Sequence, residues 1–313
     1  MFDIRRYNKG DAGEWNEFLT HSKNGTFLLN RAYMDYHADR FIDFSLIIRL
    51  NSRVYALFPA NRCGDTLFSH QGLSYGGLIT STDATTAGVC RLFEELNAFL
   101  REQGICRVVY KPVPPLYHRL PADEDLFALF LVCHARIIGR DVSSVIIPEK
   151  QLKWKRDRRY AANKARTNGI RVGESDDFPS FWKILSDNLW GKYRSKPVHS
   201  LNEIQLLYSR FPENISLWLA YANNGMLLAG TVLYITEQVA HSQYISASAE
   251  GKRLHAVDAI YDHIIHEAYA DKQYIDLGTS NMPHSSELHE SLIYQKEGFG
   301  GRAVCFDTYE YEL

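Results

Sequence analysis

The chain has 313 residues, a length that suits two domains better than one. Its 35 Lys and Arg against 37 Asp and Glu leave it almost neutral, which argues against a dedicated nucleic-acid binder. Apolar residues at 45% and charged residues at 23% exclude extended disorder and collagen-like repeats.

The five cysteines are scattered and form no C-x-x-C pair, so neither a disulfide framework nor a zinc knuckle is expected. A reducing compartment fits better. The opening stretch MFDIRRYNKGDAGEW has no apolar signal region, and no apolar run reaches the ~18–20 residues of a spanning helix. The expectation is a cytoplasmic protein.

Residues 44–50 and 53–60 read as consecutive strands around an Asn51-Ser52 turn. A short strand follows at 66–70. Residues 84–103 carry Val89, Leu92, Phe93, Leu96, Phe99 and Leu100 at helical spacing, with Gly104 as the stop. A strand at 105–111, a helix at 116–134 and an extended run at 135–147 complete the first half. The second half repeats that order. Strands at 215–221 and 226–236 flank an Asn223-Asn224-Gly225 turn, and a third strand covers 239–247. A helix at 254–270, a strand at 274–277, a helix at 286–295 and a closing strand at 303–311 follow.

Both halves thus read strand–strand–strand–helix–strand–helix–strand, offset by roughly 160–170 residues, a period that means domain duplication. The predicted class is α/β, a mixed central sheet flanked by helices, with domains at 1–148 and 149–313.

The neutrality breaks once. From Lys150 to Arg171 nine basic residues face the single acid Asp157, a net of +8; the remaining 26 basic and 36 acidic residues leave the rest at −10. Residues 150–168 read as a helix ended by Gly169. It is either a solvated linker helix or a platform for an anionic substrate, with Lys153, Lys155, Arg156, Arg158, Arg159 and Lys164 as phosphate contacts. Trp154 and Tyr160 either stack on a base or dock the helix.

Ser246 to His255 joins a strand to a helix, and Gly251, Lys252 and Arg253 there make either a phosphate-binding helix start or an ordinary polar connection. The Gly-rich stretch 69–77, which contains Tyr75, is either a ligand-approaching loop or a bulged turn. Residues 30–40 are either a polar ligand face or the start of a surface helix. Asp276 lies at a strand end and is either a base or a loop cap. No H-E-x-x-H, G-x-S-x-G, Walker A or well-placed G-x-G-x-x-G occurs, so zinc and serine hydrolases, ATP and NAD are not indicated, and no metal is expected.

Leu292-Ile-Tyr-Gln-Lys296-Glu-Gly-Phe-Gly-Gly301-Arg302, followed by Phe306-Asp-Thr-Tyr-Glu-Tyr311, resembles the C-terminal F-K-x-G-F-G-G signature of FemAB-like acyltransferases. Gln243 to Gly251 and Tyr274 to Gly278 resemble the preceding blocks of that family. Arg156 to Gly169 is similar to its entry into the second domain. Gly25-Thr-Phe-Leu-Leu-Asn-Arg31-Ala-Tyr33 resembles its N-terminal G-T-x-F-x-S-x-x-W region.

The resemblance implies two tandem GNAT-like domains and transfer of an acyl or aminoacyl group to an amine, less often a hydroxyl. It implies acyl-CoA or aminoacyl-tRNA as donor and a phosphate-bearing cell-envelope or nucleotide-sugar precursor as acceptor. Two features depart from the family: no long helical arm is present, and of the GNAT pyrophosphate signature only Gly251 and Ala256 remain.

Direct attack of an amine on an ester or thioester needs orientation, a proton acceptor and an oxyanion donor. The expected site lies in an interdomain cleft near the strand ends of the second half. Asp276 is the expected base and Tyr244 its orienting partner. Arg31, Tyr33, Tyr75 and Lys296 are the expected substrate contacts, Lys296 otherwise being a structural Lys packed on Phe299. The alternatives are a non-catalytic binding protein for a glycan or nucleotide and, less favoured by the charge balance, an RNA-binding protein.

Overall fold

The computed structural model describes residues 1–282 and 285–313. Two compact units emerge, Met1–Arg140 with Phe306–Leu313, and Asp141–Cys305. The division falls before the Pro148 boundary predicted above, and the last eight residues go to the first unit. Hydrogen-bond ladders decide this. Val145 and Ile146 pair with Asp276 and Ile275, whereas Tyr309 to Glu312 pair with Tyr110 to Arg107. The strands Arg136–Ile146 and Arg302–Glu312 therefore each lend one end to each unit.

In the first unit the hairpin Leu46–Leu50/Arg53–Phe58 forms as expected. Asn51 and Ser52 sit at φ 50° and 66°, the left-handed pair that a two-residue hairpin demands. Asp3–Arg6 and Ile79–Thr80 flank that hairpin in a four-stranded sheet. The helix Thr86–Glu102 starts where the Thr85 side chain accepts from the Gly88 N–H. It buries Val89, Leu92, Phe93, Leu96 and Leu100, and Gly104 at φ 71° ends it. The predicted helix at 116–134 shrinks to Glu124–Leu131. Pro114, Pro115 and Pro121 hold the chain before it in short turns, since a residue preceding proline resists helical geometry.

Tyr110 lies at the centre of this core. Its hydroxyl donates to Asp125 at 2.5 Å and accepts from the Leu78 N–H at 2.6 Å. Burial pushes the Asp125 carboxyl up to about 7.

The second unit carries a mixed sheet in the order Arg171–Ser175, Ile215–Tyr221, Leu227–Ile235, Val239–Ala247, Tyr274–Thr279 and the end of Arg136–Ile146. Only Val239–Ala247 and Tyr274–Thr279 run parallel within it. The helix Ala256–His263 buries Ile260 and Tyr261 in a core that also holds Leu228, Leu233, Ala240, Ile275 and Phe299. The predicted helix at 254–270 is interrupted. His255, at φ 62°, separates a short helix Ala249–Arg253 from Ala256–His263, and a π-helical turn Ile264–Ala268 follows.

The basic helix is shorter than predicted, Arg156–Thr167, and turns at Gly169 with φ 71°. Each unit also opens with elements that periodicity did not place. These are Asp3–Arg6 with helix Ala12–His21, and Arg171–Ser175 with helices Phe178–Tyr193 and Leu201–Arg210.

Tyr110→Phe removes the donor to Asp125 and the acceptor for Leu78 while leaving ring packing intact. The expected cost is about 1–3 kcal/mol of unfolding free energy, the price of stranding buried polar groups. Urea denaturation measures it; an unchanged midpoint and slope would mean the pair contributes nothing to the core.

Candidate functional site

Two parallel strands of the second unit pair only at Val239–Tyr274, Ala240–Ile275 and His241–Asp276. Both run on, to Ala247 and Thr279, without pairing further. Irregularities on either side explain the parting. Opposite Leu227–Ile235, Val232 faces Tyr244 and Leu233 faces Ser242, so Gln243 is an extra residue. On the other flank the register shifts between Asp276 and Thr279, and Gly278 takes φ 80°.

A polar cluster sits where the strands part. Asp276 is fully buried. One of its oxygens, Oδ2, lies 2.9 Å from His241 Nδ1. The other, Oδ1, accepts the Ser143 hydroxyl and, at 2.8 Å, the Gly278 N–H. Burial alone would raise the Asp276 carboxyl. The His241 ring and the Ser143 and Gly278 hydrogen bonds outweigh that and bring it down to about 2.

Lys296, also buried, donates to the carbonyls of Gly278 and Thr279, both at 2.7 Å. Burial lowers its ammonium to about 8, against the opposing pull of Asp276. Gly278 is the shared neighbour. A side-chain carbon there would lie 3.7 Å from His241 Cε1 and 3.8 Å from Lys296 Nζ. The imidazole and the ammonium thus both border the position of Gly278, and its φ of 80° is what reserves that position for glycine.

The cluster reassigns Asp276. A carboxylate held near 2 by three donors has little affinity for a further proton, so it is poorly suited to the role of base predicted above. Its Oδ2 fixes the His241 ring through Nδ1, which leaves Nε2 as the ring nitrogen not engaged by Asp276. His241, one-fifth exposed, escaped the sequence reading, as did Ser143. The only signal was a histidine inside an otherwise apolar and small-residue strand, and its partner lies 35 residues away.

Tyr244 is engaged beside this cluster. Its hydroxyl lies 2.6 Å from His199 Nδ1 and accepts the His199 N–H at 3.3 Å, and its ring meets Trp182 edge-on at 5.2 Å. Trp182 Nε1 in turn donates to the His199 carbonyl at 3.2 Å. These contacts fasten the segment before Leu201–Arg210 to the strand.

The other predicted contacts are placed differently. Arg31 is buried in the first unit, donating to Asp35 at 2.6 Å, to Asp43 and, at 3.2 Å, to Ser45, with Tyr7 under its guanidinium at 3.8 Å. Tyr33 is buried between Phe27 and Tyr36. Tyr75 is buried too, its hydroxyl donating to Thr26 at 3.1 Å and its ring against Tyr117. All three are packing residues in place of the substrate contacts expected.

The predicted phosphate cradle at Gly251 is also corrected. The Gly251 N–H donates to its own cap, Ser248 Oγ, at 3.0 Å. A side-chain carbon at Gly251 would lie 2.1 Å from the Leu228 carbonyl oxygen, so the glycine is there for close packing on the sheet. Lys252 donates to Asn188 at 2.7 Å and Arg253 pairs with Glu250. All three residues are thus engaged within the unit.

The basic segment divides in two. Arg158 pairs with Asp258, Arg166 with Asp262, and Lys155 lies over the Tyr294 ring at 3.6 Å. Lys153, Arg156 and Arg159 are exposed, and Trp154 is buried among them. Among the described residues no group of three His, Cys, Asp or Glu is placed to hold a metal, and no helix is long and apolar enough to cross a membrane.

Residues 153–286 match the model of the acetyltransferase (GNAT) domain. No curated protein matches the sequence. Solved structures share the fold. FemX superposes with a TM-score of 0.69 at 11% identity, covering 99% of this chain and 97% of that one. L-PGS from Bacillus licheniformis gives 0.57 at 11% identity, over 98% and 92%. The C-terminal domain of a putative lysylphosphatidylglycerol synthetase from Agrobacterium fabrum gives 0.56 at 13% identity, over 82% and 81%. Residues 153–286 therefore carry a GNAT acetyltransferase domain, and the chain as a whole shares the fold of FemX.

Proposed function

We propose that the protein moves an aminoacyl group from tRNA to an amine of a phosphate-bearing cell-envelope or nucleotide-sugar precursor, in the cytoplasm. The observation that carries the catalytic part is the His241–Asp276 pair beside Lys296 at the parting strands. In this reading the acceptor amine attacks the ester carbonyl of the donor, its proton passes to His241 Nε2, and as the ester C–O bond breaks the imidazolium returns that proton to the leaving oxygen, which frees the carrier hydroxyl and resets the base. Lys296 spends two N–H donors on Gly278 and Thr279 and has the third for the developing oxyanion. Asp276 and Ser143 keep the imidazole in its working tautomer and orientation.

An acyl-CoA donor is the alternative, since the GNAT fold generally binds it. The capped, buried Gly251 turn weighs against it, and the exposed cations of the basic segment favour a polyanionic carrier. A thermal-shift panel of acetyl-CoA, longer acyl-CoAs, UDP-sugars and charged tRNA separates the donors. Stabilisation by charged tRNA and not by acyl-CoA is expected; the reverse would replace the donor.

His241→Ala is expected to lower kcat by about 10²–10⁴, the usual worth of a general base. Asp276→Asn should give a smaller loss in kcat with KM little changed. Full activity in both would remove the pair from the chemistry.

Lys296 must be charged to meet an oxyanion, and its ammonium loses its proton near 8. kcat/KM should therefore fall as pH rises through about 8. Lys296→Arg, which stays charged, should lose that limb if it retains activity, and Lys296→Met should be inactive across the range. An alkaline limb unchanged in the arginine variant would assign it to another group.

A further inference from the structure

A recess of about 290 Å³ opens on the second unit beside the start of helix Arg156–Thr167. Its lining shares no residue with the His241 cluster. Its floor includes Trp154, 6% exposed, whose indole N–H is buried and has no acceptor. The amide nitrogen of Gln151, also in the lining, has none either. Lys153 and Arg159 add two cations, exposed and in no ion pair among the described residues.

The lining holds one acid, and it is already engaged. Asp262 receives Arg166 at 2.6 Å and faces His266 Nδ1 at 3.0 Å. Two residues of the lining thus hold buried, unpartnered N–H donors beside two exposed cations. Native structures rarely leave a buried indole N–H without a partner, so the surface is incomplete as it stands. What would complete it is a group with several acceptor oxygens and more than one negative charge. A carboxylate offers two oxygens and a single charge; a phosphate or diphosphate matches both counts.

The volume is at the lower edge of small-molecule sites, which run from about 300 to 1,000 Å³. It suits the phosphate end of a ligand better than a whole nucleotide.

We propose that this recess binds the phosphate or diphosphate group of a small ligand, with Lys153, Arg159 and the Trp154 indole N–H as its contacts. The proposal shares the exposed cations Lys153 and Arg159 with the choice of donor made above, but it rests on the recess and its buried N–H donors and not on the His241 cluster. The Trp154 ring also meets Phe299 at 5.0 Å, and the Lys155 N–H donates to the Gly298 carbonyl at 2.9 Å. The recess therefore abuts the end of the helix that carries Lys296.

The test follows the indole N–H resonances of the full chain by NMR, with the Trp154 signal identified by its loss in Trp154→Phe. Inorganic pyrophosphate and UDP are titrated separately. The Trp154 signal is expected to move saturably with both. Equal affinities would identify the diphosphate alone as the ligand, and tighter UDP binding would identify a nucleoside diphosphate. The double variant Lys153→Ala/Arg159→Ala should weaken binding at least tenfold, and added salt should weaken it in the parent. Both changes are on exposed side chains, and circular dichroism confirms that the fold is kept. His241→Ala should bind as the parent does, which separates this result from any failure of the catalytic reading. No saturable movement up to about 10 mM of either ligand, or movement that persists undiminished in the double variant, would overturn the proposal.

Discussion

A carboxylate taken wholly out of water must be met by donors on all sides, and Asp276 imposes that demand on the second unit. Three groups from three places in the chain answer it: Ser143 from one neighbouring strand, His241 from the other, and the Gly278 N–H just downstream. Satisfying the charge forces the local geometry. The chain must turn back at Gly278 for its N–H to reach Oδ1, and that turn presents the Gly278 and Thr279 carbonyls to Lys296. The cation is then held in place by the same loop that neutralises the anion. Asp276 also supports the Lys296 ammonium through its charge, so the two are coupled through space as well as through the Gly278 loop.

That unit coincides with the place where two parallel strands stop pairing. Beyond His241 and Asp276 the strands no longer satisfy each other's backbone groups. Unpaired strand edges inside a sheet are costly unless something fills them. His241 and Asp276 are the last pair before the strands part, and Lys296 is held by the Gly278 and Thr279 carbonyls just beyond. The polar cluster and the loss of pairing thus arise from the same local departure from regular sheet.

How much of this could be read beforehand follows from the range of each interaction. The hairpins at Asn51-Ser52 and Asn223-Asn224-Gly225, the helix Thr86–Glu102 and the strand Val239–Ala247 rest on local turn chemistry and short periodicities, and they were legible. Asp276 and Lys296 were legible as candidates because each stands in a recognisable stretch. Their surroundings were not. The low carboxyl of Asp276 depends on Ser143, 133 residues distant, and on His241. The helices Phe178–Tyr193 and Leu201–Arg210 escaped because aromatic residues are spread round the first and the second is only 10 residues long. Arg31, Tyr33 and Tyr75 misled for a common reason: cations and tyrosines can close a core as readily as they can bind a substrate, and only burial tells the two apart.

The charge distribution carries the argument one step further. The basic segment is not a uniform field. Arg158 and Arg166 are matched by acids of helix Ala256–His263, so they fasten the segment to its own unit. Their neighbours Lys153, Arg156 and Arg159 lack such matches and face outward. The division follows the available partners and not the face of the helix: Arg159 and Arg166, seven residues apart, lie on the same side of Arg156–Thr167, and only Arg166 meets an acid there. The positive charge left over stands beside a buried indole N–H without an acceptor, and the two together are the ground for the phosphate site proposed above.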